Sequence, residues 1–188
     1  MKLPPLILAS ASPRRSELLR ELGEEFRVEA SRVPELEGEH LSPHEICRVN
    51  AYRKAREVSK RFPDSLVIGA DTEVALAHEV FGKPADFAEA AAMLRRLQGR
   101  THEVVTGVCL IHLREHRQKT FSVSTSVTFR PLDAATIRLY LSAINPLDKA
   151  GAYAIQEQGS LIVESYSGSF TNVMGLPLEE LRAELAAW

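Results

Sequence analysis

At 188 residues the chain has the length of one ordinary domain and can bury roughly 70% of the surface its unfolded form exposes, so it needs no staple to fold. Hydrophobic residues make up 45% and charged residues 26% of it, which excludes a disordered or collagen-like chain. A formal net charge of -2 provides no global positive field for a nucleic-acid backbone, so a small anionic ligand in a local basic pocket fits better than a polymer.

The opening MKLPPLILAS holds one Lys and an apolar run too short for a signal peptide or a membrane span before Arg14 and Arg15, which points to a cytoplasmic protein with no membrane partner. Leu6 to Ala9 reads as a short strand, and Ser12 with Pro13 as N-cap and first residue of a helix that Gly23 ends. Phe26 to Ala30 returns as a strand. Ser42, Pro43 and Glu45 form a capping box with Pro at the first helical position, opening a helix to about Phe62 with Ile46, Val49, Val58 and Phe62 among its apolar positions. Leu66 to Gly69 is expected as a strand and Glu73 to Ala77 as another, after which Asp86 and Glu89 cap an Ala-rich helix that Gly99 closes. Val104 to Leu113 is nearly all apolar, while Phe121 to Phe129 alternates apolar with Ser and Thr, so the two read as a long hairpin. Asp133 starts a helix through Leu141, Leu161 to Val163 is expected as a strand, and Pro177 opens the last helix. This order predicts one domain over residues 1–188, of α/β class, with a mixed twisted sheet and flanking helices. Cys47 and Cys109 lack CxxC spacing and read as buried thiols.

Three stretches can carry chemistry. Ser10-Ala-Ser12-Pro13-Arg14-Arg15 sits where a strand hands over to a helix, a place where backbone N–H groups, the helix dipole, two hydroxyls and two guanidiniums can meet a polyphosphate; an ordinary N-cap with solvated arginines is the alternative. Asp71 in Gly69-Ala-Asp71-Thr72 follows an apolar strand, where it can hold Mg²⁺, take a proton from water or simply cap a loop. Asp148 to Gln156 is rich in small residues and ends on an amide able to read a base edge. Lys54, Lys83 and the acidic run from Glu35 to Glu39 read singly as solvated charge. His112-Leu-Arg-Glu115-His116 has the spacing of a zinc-peptidase motif, but that motif works on a helix and here it falls at a hairpin turn.

Taken together, Ser10 to Arg15, Lys54-Ala55, Ile68 to Thr72, Gly82-Lys-Pro84, Thr101 to Gly107, Asp148 to Gln156 and Gly175 to Leu178 resemble the Maf family of nucleotide pyrophosphatases. The resemblance implies a fold related to that of the inosine triphosphate pyrophosphatases, with two lobes around a cleft, and a homodimer. It implies hydrolysis of a nucleoside triphosphate to the monophosphate and pyrophosphate with a divalent cation, Mg²⁺ or Mn²⁺. Carried over by position, Asp71 is the catalytic proton acceptor and, with Glu35, a metal ligand. Ser10, Ser12, Arg15, Lys54 and Lys83 bind phosphates, and Arg14, Thr72 and Gln156 select the base, in the combination of the branch that prefers dTTP and UTP. Val33-Pro34-Glu35, Glu73-Val-Ala75 and Phe170 depart from the family pattern. The rival expectation is a nucleotide-binding regulator of cell division without essential turnover.

Overall fold

The computed structural model describes residues 3–36 and 40–188; Glu37 and Glu39 of the acidic run lie outside them. Seven strands form one mixed sheet: β1 (Leu6–Leu8), β2 (Phe26–Val28), β3 (Leu66–Leu76), β4 (Glu79–Phe81), β5 (Thr101–His112), β6 (Arg117–Phe129) and β7 (Val163–Ser167). Their order is β2-β1-β3-β5-β6-β7, with β4 paired to β3. β1 runs parallel to β2 and β3, whereas β3 with β4 and β6 with β7 are antiparallel. The helices are α1 (Pro13–Arg20), α2 (Pro43–Arg61), α3 (Phe87–Leu97), α4 (Ala134–Ala143), α5 (Phe170–Met174) and α6 (Leu178–Ala186). The expected α/β class with a mixed sheet is therefore borne out. None of the helices among the described residues is long and apolar enough to cross a membrane.

The local signals form as expected. Ser42 accepts from the Glu45 N–H while the Glu45 carboxylate accepts from the Ser42 N–H, a complete capping box at the start of α2. Asp86 and Asp133 cap α3 and α4 through their side chains, and Gly23 and Gly99 follow α1 and α3 with positive φ.

The chain divides into two compact units. The first comprises Met1–Asp71, Thr106–Val123 and Gly175–Trp188, and the second Thr72–Val105 and Ser124–Met174. The first packs α2 through Ala51, Ala55 and Val58 onto Ile7, Val67 and Cys109. The second has its own core, with Phe81, Leu94, Leu97, Phe129, Tyr140 and Ile162 buried together. Both thiols are buried and outside any disulfide, and burial pushes Cys109 up to about 11.

Three expectations need correction, and two short elements had no expectation. Gly69 to Thr72 is no connection: β3 runs unbroken from Leu66 to Leu76, so Asp71 stands inside a strand. Gly69 is a contact point there, since a Cβ on it would lie 2.2 Å from the Ala51 carbonyl oxygen of α2. The buried stripe of α2 runs through Ile46, Cys47, Asn50, Ala51, Lys54, Ala55 and Val58, and Val49 falls one step off it, exposed. Gly159–Leu161 is a turn of 3₁₀ helix, so the strand expected from Leu161 begins at Val163 and extends to Ser167. β4 and α5 were not foreseen, each being too short to show a period.

Candidate active site

The first unit gathers a polar cluster on α2 and β3. Asp71 is 4% exposed. Its Oδ1 accepts from Lys54 Nζ at 2.6 Å and its Oδ2 from Asn50 Nδ2 at 2.9 Å. Asn50 and Lys54 lie one turn apart, so α2 presents both on the face that packs against β3. Lys54 Nζ also donates to Glu35 Oε1 at 2.7 Å, and one buried ammonium thus draws the exposed Glu35 and the buried Asp71 together. The segment bearing Glu35 is fastened beside it, where Asn50 Oδ1 accepts from the Leu36 N–H at 2.7 Å and Asn50 Nδ2 donates to the Leu36 carbonyl at 3.2 Å.

The β1–α1 junction belongs to the same unit. Ser12 is the N-cap and Pro13 the first residue of α1, yet the Ser12 hydroxyl makes no capping bond. The buried Ser10 Oγ accepts from the Ser12 N–H and from Arg15, each at 3.2 Å. Arg15 also donates to the carbonyls of Ala70, beside Asp71, at 2.9 Å and of Gly175 at 2.8 Å. Burial pushes the Arg15 pKa down, opposed by the charges of Asp71 and Glu35. Arg14, half-buried, stands at the start of α1 with it.

Thr72, Lys83 and Gln156 fall in the second unit. Within it, the Gly151 N–H donates to the Gly82 carbonyl at 3.1 Å, which joins the segment of exposed Lys83 to the stretch leading to Gln156. Gly151 has φ 66, and a Cβ there would meet Val74 at 3.0 Å, so glycine suits both the turn and the packing. Tyr140 Oη pins Ala154 at both its N–H and its carbonyl, and Tyr153 Oη meets His102 Nε2 at 2.8 Å. Gln156 Nε2 donates to Glu157 Oε1 at 3.4 Å, while its Oε1 is buried with no partner among the described residues. Such an orphan acceptor is suited to a ligand's donor.

Two hard oxygen donors, Glu35 and Asp71, converge on one cation, and Mg²⁺ is commonly held by one or two carboxylates together with substrate phosphates. Carboxylate oxygens are the donor type that Mg²⁺ takes, and here both lie against the ammonium of Lys54. Among the described residues no group of three or more His, Cys, Asp or Glu could hold one. His112 ends β5, and its Nδ1 accepts from the Glu115 N–H within the turn, so His112 and His116 share no helix face. Asn50 was missed by the sequence reading. Its signal was present as a polar residue at Lys54 minus four, on a stripe that is otherwise largely apolar.

The chain matches the Maf-like protein family over residues 5–188. It belongs to the Maf family. It is 45% identical over 179 residues to the dTTP/UTP pyrophosphatase of Akkermansia muciniphila, covering 95% of this chain and 94% of that protein. The dTTP/UTP pyrophosphatases of Symbiobacterium thermophilum and Bacillus velezensis are 49% and 48% identical over 92% of this chain and 88% and 90% of theirs. In fold it is similar to a HAM1 protein from Coxiella burnetii, at a TM-score of 0.58 and 15% identity, covering 99% of this chain and 100% of that one.

Proposed function

We propose that this Maf-family chain hydrolyses dTTP and UTP to the monophosphate and pyrophosphate. The observation that carries the reading is Asp71, a buried carboxylate held at both oxygens, in a chain whose relatives bear that name. Cleaving a phosphoanhydride demands charge neutralisation and an aligned water more than covalent chemistry. Water forms a bond to phosphorus, its proton passes to Asp71, and the bridging oxygen leaves with pyrophosphate. Lys54 pairs with Asp71 Oδ1 and orients the carboxylate. Ser10, Ser12, Arg15 and Lys83 bind phosphate oxygens, Arg15 exchanging part of its carbonyl contacts for the ligand. A divalent cation, Mg²⁺ or Mn²⁺, when bound by Glu35 and Asp71, supplies further charge neutralisation on the phosphates.

Arg14, Thr72 and Gln156 select the base. With its Nε2 turned to Glu157, Gln156 offers Oε1 as an acceptor, which answers the N3–H of uracil or thymine and faces only a lone pair in cytosine. The family match across nearly the whole chain supports one catalytic domain over residues 1–188, and a cytoplasmic homodimer belongs to the same reading.

The test is a panel of nucleoside triphosphates assayed with Mg²⁺ and with Mn²⁺ for pyrophosphate and orthophosphate. UTP and dTTP should release pyrophosphate with kcat/KM at least about 10-fold above CTP, as one mismatched buried polar group implies. Orthophosphate alone, or a preference for 7-methyl-GTP, overturns the assignment. Tight nucleotide binding with no turnover returns the regulator.

A further inference from the structure

We infer that Asn50 is a positioning residue for the reaction, fixing the plane of the Asp71 carboxylate and the segment that carries Glu35. The inference rests on the proposed function. Asn50 is 1% exposed, and a side-chain amide removed from water is costly unless its groups are bonded. Among the described residues its bonds go to two places, the Leu36 backbone and Asp71 Oδ2.

Packing alone does not call for an amide here, because the buried stripe on which Asn50 lies is otherwise largely apolar, with Ile46, Ala51 and Val58 on it. The Leu36 backbone does not account for the whole amide either, since Asn50 Nδ2 also donates to Asp71 Oδ2. What only the amide supplies is geometry. With Lys54 alone on Oδ1, the Asp71 carboxylate could turn about its last torsion, and a second donor on Oδ2 sets its plane. The paired bonds to Leu36 meanwhile hold the residue next to Glu35 against the same helix. A base displaced by about 1 Å costs on the order of 100-fold in rate, and nucleotide binding need not change.

Asn50→Leu tests this, with kcat and KM for UTP and the melting temperature measured together. The expected result is a folded protein whose kcat falls roughly 10- to 100-fold while KM changes less than about 3-fold. A residue serving only stability would lower the melting temperature without that split. A folded variant with kcat within about 2-fold of wild type, or one whose loss lies wholly in KM, overturns the inference. If the leucine variant does not fold, Asn50→Ser, which leaves room for a water at Leu36, is judged by the same criteria. A wild-type protein that releases no pyrophosphate from UTP or dTTP overturns the proposed function together with this inference, whereas an active wild type with an unaffected variant overturns the inference alone.

Discussion

Each oxygen of the Asp71 carboxylate already accepts one bond, from Lys54 or from Asn50, and each keeps a lone pair for a proton from water. Asp71→Asn retains the shape but has one acceptor where two donors point, so its NH₂ must face either the ammonium or the other amide. The variant should therefore lose at least about 100-fold in kcat and also roughly 1 to 3 kcal/mol of stability, read by turnover of UTP and by urea unfolding. Turnover near the wild-type rate would remove Asp71 from the role of base. Asp71, Lys54 and Glu35 were legible as positions in short motifs, but the ammonium that unites them was not. A lysine on a helix reads as solvated until the helix is docked, because burial belongs to tertiary packing and not to local pattern. Asn50 has a local signal, a polar residue one turn before Lys54, but its partners too belong to the docked helix.

At the scale of elements, the position of α2 decides where Asn50 and Lys54 stand. α2 rests on two glycines: a Cβ on Gly69 of β3 would come within 2.2 Å of the Ala51 oxygen, and one on Gly107 of β5 within 2.4 Å of the Cys47 carbonyl carbon. The atoms met are backbone, which cannot rotate away, so the helix itself must move. Gly69→Ala should destabilise the protein by about 1 to 3 kcal/mol, the range for an overpacked core, and should depress kcat because Lys54 moves with its helix. Urea unfolding and UTP turnover measured on one preparation check both effects, and unchanged values would mean that the helix does not rest on Gly69. Helix starts at Ser42, Asp86 and Asp133 were readable because a cap is a contact among residues three apart. Gly69 was misread as a strand end because glycine marks both turns and close approaches, and only the partner helix distinguishes them. β7 was placed too early because all but the first of its residues are exposed, leaving little apolar pattern to read.

For the whole molecule, the α/β class followed from alternating strand and helix signals, and the likeness to a HAM1 protein at 15% identity shows how far such a fold outlasts its sequence. Two lobes are expected from the family resemblance, but the order of elements does not disclose which segments build each of the two units, because each is assembled from segments far apart in sequence. The second core encloses an ionisable group. His102 is 3% exposed, its ring packs edge-on against Phe129 and Tyr153, its Nε2 meets the Tyr153 hydroxyl and its Nδ1 has no partner among the described residues. Burial pushes its pKa down from 6.5 to about 4. Between those values the unfolded chain binds a proton that the folded protein refuses, so stability is full above about pH 6.5 and is lost progressively as pH falls toward 4, below which this residue adds no further loss. From pH 7 to pH 5 the loss from His102 alone should be about 2 kcal/mol. His102→Gln keeps a partner for Tyr153 but does not titrate, and comparing it with wild type cancels the other groups that change in that window. Urea unfolding at pH 7, 6 and 5 should show wild-type stability falling about 2 kcal/mol further than that of the variant. Parallel slopes for the two proteins would mean that the imidazole accepts its proton in the folded state at the ordinary pH.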